Sequence, residues 1–390
     1  MTPFQHTTPA FRTYCGDDAL AALPRELERA GARRVVVVCG ASLARHADAL
    51  ARVRGALGER CVAVFDGVRE HSPVPSVEAG ARLLAQSQAD GVVAVGGGSA
   101  VVTARAASIL LAEQQSVRAL CTRRLPDGKL VSPKLGAAKL PQWVVASTPT
   151  TAYAKAGSAL LDAQTGERLA LFDPKTRAQA LFIDPVLAAS APVALVESAS
   201  LNALAMAVEG LEASEGNPIA EAQLRHALTL AATWLPRLRA EPADPQVRMQ
   251  LMLAALLSGF GTDTMGGGAA SVLAHATGPR AGVANGLVQA IVLPHVMRFN
   301  ASVTGERPRR VTHALGTHAA DPARPAADQA IEAVGQLFER LGIARRLRDL
   351  GVEQALLPQI AAHGIDDWFI ERNPRRVTQA DAEALLHAAW

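Results

Sequence analysis

The chain has 390 residues, of which 49% are apolar and 19% charged, and its formal net charge is +3. That length exceeds one compact core and predicts two domains of about 100–200 residues each, while the apolar share excludes wholesale disorder. The slight charge, with arginines scattered instead of gathered with aromatics, excludes a nucleic-acid partner.

The longest apolar stretches, such as residues 251–260, fall short of the ~20 residues of a membrane span, so no membrane partner is expected. The first residues lack a basic-then-apolar leader, and the expected setting is the cytoplasm. Cys15, Cys39, Cys61 and Cys121 are far apart and show no paired spacing for zinc or redox work; they read as core thiols.

In chain order, residues 33–40, 61–65 and 91–95 read as buried strands, separated by helical patterns over 42–57 and 74–89. This rhythm predicts a parallel sheet with helices on both faces, and ligands at the carboxyl ends of its strands. The third strand empties into Gly96, Gly97, Gly98 and Ser99 and then a helix. Residues without Cβ let the backbone approach a pyrophosphate, and the first free N–H groups of the helix supply donors. Residues 118–139 are basic and rich in loop formers, an exposed excursion.

A further strand over 143–147 leads to Thr148, Pro149, Thr150 and Thr151, whose hydroxyls suit a cofactor contact or a turn cap. Residues 162–166 resemble a hairpin turn, and the strands around it end at residues 182–185. After Pro185 alanine and leucine dominate at helical spacing. Leu201, Leu204, Val208 and Leu211 share one helix face, as do Leu224, Leu228, Ala231 and Leu235; residues 259–268 read as a glycine-rich bend. The expected organisation is a Rossmann-like α/β domain over 1–186 and an all-helical domain over 187–390.

Several separate motifs then fall in one order: Gly96-Gly97-Gly98-Ser99, Pro149-Thr150-Thr151, Thr165-Gly166 before Ile183-Asp184-Pro185, residues 290–297 with Phe299-Asn300, and the tail over 373–378. In that order the chain resembles the iron-containing alcohol dehydrogenases over nearly its whole length, and within them it is similar to the maleylacetate reductase branch, which reduces a carboxylated carbonyl compound. The resemblance implies a dehydroquinate synthase-like fold, a nicotinamide cofactor, a small-molecule substrate and a homodimer.

The resemblance also places four metal ligands, normally one aspartate and three histidines, at Asn202, Met206, Ser271 and Asn285. An amide or a hydroxyl ligates weakly, a thioether suits softer ions, and no anion remains to offset a cation. No catalytic iron or zinc is expected. Asn202, Met206, Ser271 and Asn285 become substrate-binding candidates, with ordinary interior packing as the alternative for Asn202 and Met206 and a chain turn for Asn285. His275 matches the family's extra active-site histidine, whose imidazole can donate a proton to a carbonyl oxygen as hydride arrives; His295 is not assigned to chemistry.

Loss of the Lewis acid requires a replacement for it. Lys155 and Tyr153 are the further catalytic candidates, Lys155 through contact with a substrate carboxylate or, alternatively, as a solvated lysine. At the cofactor site Val102 and Arg105 stand where the family commonly carries aspartate and lysine. The first strand ends at Gly40, followed by Ser42 and Arg45, so no carboxylate repels a 2′-phosphate, and NAD or NADP is expected on Gly40, Ser42, Gly96, Gly97, Gly98, Ser99, Thr148 and Thr151. The leading reading is a metal-independent NAD(P)-dependent oxidoreductase; the alternatives are non-redox chemistry on the same scaffold and a catalytically silent paralogue.

Overall fold

A computed structural model describes residues 3–125, 127–214, 216–316 and 321–390. The chain divides into two compact units. One comprises residues 9–148 and 152–192; the other comprises 1–8, 149–151 and 193–390. The change of unit at 192/193 lies a few residues beyond the expected boundary at 186/187. Each is described by itself.

The first unit alternates strands and helices: β1 (Arg12–Cys15), α1 (Leu23–Ala30), β2 (Val35–Gly40), α2 (Ala41–Ala44), α3 (Ala47–Leu57), β3 (Cys61–Val68), α4 (Val74–Gln86), β4 (Gly91–Gly96), α5 (Gly98–Glu113) and α6 (Val117–Leu120). It continues with the two-residue strands β5 (Arg123–Arg124) and β6 (Leu130–Val131), then β7 (Gln142–Ala146), the hairpin β8 (Gly157–Leu161) and β9 (Arg168–Phe172), β10 (Ala178–Ile183) and α7 (Pro185–Ala189). Six strands form a parallel sheet in the order β1-β10-β7-β4-β2-β3.

The valine-rich β2 and β4 are buried along nearly their whole length, as interior parallel strands covered on both faces must be. Val35, Val37, Val93, Val95, Trp143 and Phe182 pack with the leucines of α1 and α3 in one core cluster. The last strand, β10, runs into Asp184, whose Oδ1 caps α7 through Val186 and Leu187 N–H, while Oδ2 receives Arg52 at 2.8 Å. The hairpin expected around residues 162–166 is β8–β9, and the excursion over 118–139 contains the β5–β6 pairing.

The second unit is helical: α8 (Val193–Glu212), α9 (Pro218–Leu238), α10 (Pro245–Met265), α11 (Ala269–Ala281), α12 (Asn285–Thr304), α13 (Arg309–Ala314), α14 (Ala326–Arg340), α15 (Leu357–Gly364) and α16 (Gln379–Ala389). By length and composition alone α8 could cross a bilayer. It instead packs on α9, α10, α11 and α12 and carries the buried carboxylates Glu197, Glu209 and Glu212.

The expected glycine-rich bend is shorter than residues 259–268. Gly259 and Gly261 remain inside α10, because Gly261 is needed for close helix packing: a Cβ there would stand 2.4 Å from Leu224 Cγ. Gly210 on α8 meets the same leucine, at 2.7 Å. Only Gly266, Gly267 and Gly268 separate α10 from α11.

Candidate functional site

The cofactor candidates of the α/β unit collect at one sheet edge. In the parallel register Val38 lies beside Ala94, and Gly96 beside Ala146, so Gly40, the glycine turn and Thr148 all follow the carboxyl ends of three neighbouring strands. Gly96 has φ +145, a conformation L side chains rarely adopt. Gly97 is the N-cap of α5 with no side-chain hydrogen bond, so the first N–H groups of that 16-residue helix have no capping side chain. A Cβ at Gly97 would stand 2.0 Å from Thr148 Oγ1; the threonine occupies the space the glycine leaves. A bare turn at a helix start, on the carboxyl edge of a parallel sheet, fits the pyrophosphate of a dinucleotide.

The other members of this set are less constrained. A Cβ on Gly40 would meet only Val68 O, at 3.7 Å, and Ser42 is exposed on the short α2. Ser99 is half-buried, and its carbonyl accepts from Ser72 Oγ at 3.2 Å, while Thr103 Oγ1 contacts Ser72 Oγ at 3.0 Å. His71 and Ser72 both have positive φ, 60° and 48°. Two consecutive non-glycine residues in this region store strain, and these bonds hold the loop after β3 against the turn. Thr151 belongs to the helical unit, where it is buried and its hydroxyl donates to Met206 Sδ at 3.6 Å.

Tyr153 requires a correction. It has no exposed surface, its hydroxyl donates to Thr148 O, and burial pushes its phenol up, away from proton transfer near neutrality. It supports the segment after β7 rather than offering a reactive group. Arg105, also fully buried, does comparable work: its guanidinium donates to Gly157 O at 2.5 Å and to Ala152 O at 2.9 Å, fastening α5 to the same segment. Lys155, half-buried, ends this turn, its N–H donating to Ala152 O.

In the helical unit α8 carries Asn202 and Met206 one turn apart, Ser271 opens α11, and Asn285 opens α12. Asn202 Nδ2 donates to Gln289 Oε1 at 2.5 Å, and Gln289 Nε2 donates to Ser271 Oγ at 2.7 Å and Glu209 Oε2 at 3.3 Å. The Ser271 hydroxyl donates to Glu209, whose other oxygen accepts Ala270 N–H at 2.8 Å and Ser271 N–H at 3.1 Å. Burial raises the Glu209 carboxyl above its usual range, and these donors offset only part of that rise. Ser271 has no exposed surface and Met206 almost none, whereas Asn202 and Asn285 are half-buried. Asn285 Oδ1 lies 1.9 Å from where a Cβ of Gly278 would be, a place only glycine leaves open.

These residues do not fit a divalent metal. Two of the four ligating atoms are engaged with the protein, Met206 Sδ with Thr151 and Ser271 Oγ with Glu209 and Gln289, and the other two positions, Asn202 and Asn285, offer only uncharged amides. The one carboxylate within the network, Glu209, is surrounded by donors. Among the described residues no group of three or more His, Cys, Asp and Glu is arranged to hold an ion.

His275 lies one turn after Ser271 on α11. Its Nδ1 is 3.3 Å from Asp367 Oδ2, and its ring lies tilted against Phe369 at 6.2 Å. Asp367 Oδ1 accepts Phe369 N–H at 3.0 Å, which fixes the carboxylate. Nδ1 is thus the ring nitrogen turned to Asp367. Ser72, Glu209, Gln289 and Asp367 were not anticipated. Glu209 and Gln289 had a usable signal, as polar residues within strongly apolar helices; Asp367 lies 92 residues from His275 and had none.

Comparison with known proteins gives consistent matches. A family model described as iron-containing alcohol dehydrogenase matches residues 9–185, and one described as Fe-containing alcohol dehydrogenase family, C-terminal, matches residues 197–390. The lactaldehyde reductase of Escherichia coli is 29% identical over 384 residues, covering 96% of this chain and 97% of that protein. Maleylacetate reductase 1 of Cupriavidus pinatubonensis is 25% identical over 379 residues, covering 97% and 95%. The fold is also that of sulfoacetaldehyde reductase from Bifidobacterium kashiwanohense, solved with NAD+: TM-score 0.84, 20% identity, 100% of this chain and 99% of that one.

Proposed function

Because the chain belongs to the iron-containing alcohol dehydrogenase family, and is therefore an oxidoreductase, we propose that it works without the family's metal. On this reading it moves hydride between NAD or NADP and a small carbonyl or hydroxy compound that carries a carboxylate. The observation that carries the reading is the set Asn202, Met206, Ser271 and Asn285 at the ligand positions, which offers no anionic or imidazole donor, with Ser271 held by Glu209 and Gln289. The likeness to maleylacetate reductase supports a carboxylated substrate, and the structure of the Bifidobacterium reductase with NAD+ supports the nucleotide.

Bound nicotinamide would supply or accept the hydride. The turn Gly96–Ser99 with Thr148 holds the pyrophosphate against the N-terminus of α5. His275, oriented through Asp367, gives the proton from Nε2 to the carbonyl oxygen in reduction and takes it back in oxidation, so that the product is a neutral alcohol. Lys155 is the candidate cation for a substrate carboxylate.

The test combines three measurements: nicotinamide fluorescence on mixing with NADH or NADPH, metal analysis of the purified protein, and turnover of oxo acids and aldehydes with and without a chelator. Binding, turnover that survives chelation, and substoichiometric metal are expected. Stoichiometric iron or zinc, or activity lost to chelation and restored by metal, refutes the metal-independent reading. Failure to bind either nucleotide refutes the oxidoreductase reading for this chain.

A further inference from the structure

Asn202 and Glu209 lie two turns apart on one face of α8. Gln289 on α12 joins them through the bonds given above. Every group facing Glu209 in that network is a donor: the Ser271 hydroxyl, two backbone N–H groups and the Gln289 amide nitrogen.

That arrangement fixes the direction of both amides. A Gln289 turned the other way would set its Oε1 against a carboxylate and against a hydroxyl whose proton is already given to that carboxylate. With Nε2 held toward Glu209 and Ser271, Oε1 must face Asn202, and Asn202 must answer with Nδ2. Among the described residues Asn202 Oδ1 accepts no hydrogen bond, and on a half-buried side chain it is the end of the amide left for a ligand.

We propose that Asn202 binds substrate through Oδ1 as a hydrogen-bond acceptor, and that Gln289, itself oriented by Glu209 and Ser271, is the positioning residue that holds it so. The inference rests on the reductase reading. The position receives the neutral hydroxyl of the bound alcohol before reaction, the form in which an alcohol exists without a Lewis acid to hold it as an alkoxide; the proton turns from Oδ1 to His275 Nε2 as hydride leaves, so the bond contributes to binding and is read in KM. Donation from Nδ2 to Gln289 polarises the amide and strengthens Oδ1 as an acceptor. A carboxylate is rejected there, since it would meet a carbonyl oxygen at the end of a chain rooted in Glu209. Any carboxylate on the substrate must be bound by other groups.

Asn202→Ala, Gln289→Met and the double variant test this against the wild type. Gln289→Met keeps the shape of the side chain and removes the amide, while Glu209 retains three donors. Oxidation of small alcohols and hydroxy acids by NAD+ and NADP+ gives KM, nicotinamide fluorescence gives the dissociation constant of the nucleotide, and circular dichroism reports folding. Each single variant should raise KM for the alcohol about tenfold, the size of one hydrogen bond, with the nucleotide constant within about twofold of wild type.

The double variant should be no worse than Asn202→Ala within about twofold, because Gln289 acts only through Asn202. Unchanged KM in Gln289→Met, or losses that multiply in the double variant, overturns the proposal. Should Gln289→Met not fold, Asn202→Ala carries the question alone, since it removes the acceptor; an unchanged KM there also overturns it. A wild type that binds nucleotide yet turns over nothing refutes the underlying reductase reading, and the assignment of Asn202 falls with it; active wild type with insensitive variants refutes only the role of Asn202 and Gln289.

Discussion

Gly97→Ala is the sharpest test of the phosphate turn. Gly97 has φ −104, ordinary for any residue, so backbone strain plays no part and only space is at issue. The new methyl would stand 2.0 Å from Thr148 Oγ1 and 3.4 Å from Thr148 Cβ. The first distance is at least about 1 Å too short, and threonine, branched at Cβ, has few rotamers in which to escape. Overpacking of this kind costs about 1–3 kcal/mol. For a unit of this size that lowers the melting temperature by roughly 4–8 °C at ~2 kcal/mol. If the turn shifts to relieve the contact, its N–H groups leave the pyrophosphate, and NADH or NADPH should bind at least about tenfold more weakly, equivalent to ~1.4 kcal/mol. Thr148→Ala in the same chain removes the 2.0 Å contact and leaves the ordinary 3.4 Å one, so the double variant should recover both properties. Calorimetry and nicotinamide fluorescence read them. Wild-type behaviour of Gly97→Ala, or a double variant no better than the single, would refute the reasoning.

Asp367→Asn retains an oxygen to accept Phe369 N–H but turns an amide donor toward His275 Nδ1; kcat should fall about 10- to 100-fold with nucleotide affinity unchanged, and full activity would remove the orienting role. Tyr153→Phe loses one buried hydrogen bond, about 1 kcal/mol in thermal unfolding, and should keep its turnover; a large loss of kcat would restore the tyrosine to the chemistry. Glu212 is almost fully buried, its Oε1 has no hydrogen-bond partner, and burial with the nearby Glu209 charge pushes its carboxyl up to about 8. The folded protein therefore holds a proton that the unfolded chain releases near 4.5, so stability falls as pH rises from about 4.5 to about 8, by at most ~1.4 kcal/mol per pH unit. Glu212→Gln should flatten that slope and melt higher than wild type at pH 8, which melting curves across this range would show.

The parts of the fold that were legible in the sequence are those where one local signal suffices. Residues 35–38 and 92–95 are apolar on both faces and read as interior strands, and the three glycines after Val95 marked the phosphate turn. The short edge strand β1, with its alternating exposure, and the β5–β6 pairing were not legible, because their backbone partners lie elsewhere in the sheet or depend on loop geometry. Gly259 and Gly261 were misread for a related reason: glycine breaks helices in isolation, yet both lie inside α10, where Gly261 admits Leu224 from a neighbouring helix. At the site, His275 and the altered ligand positions were visible from their order in the chain. What those positions do instead depended on Glu209 and Gln289, 80 residues apart, and on which end of each amide faces the carboxylate. No spacing encodes that.

Glu209 also caps a helix that is not its own. Gly268, at the N-cap of α11, contributes no side chain, and the first turn of α11 is satisfied from α8 through Ala270 and Ser271 N–H. The beginning of α11 therefore cannot fray independently: opening it leaves a buried carboxyl on α8 without its donors, and displacing α8 bares amides on α11. Hydrogen exchange at Ala270 and Ser271 should follow the opening of α8 in a single cooperative step, so that the helix bearing His275 loosens only together with the helix bearing Asn202.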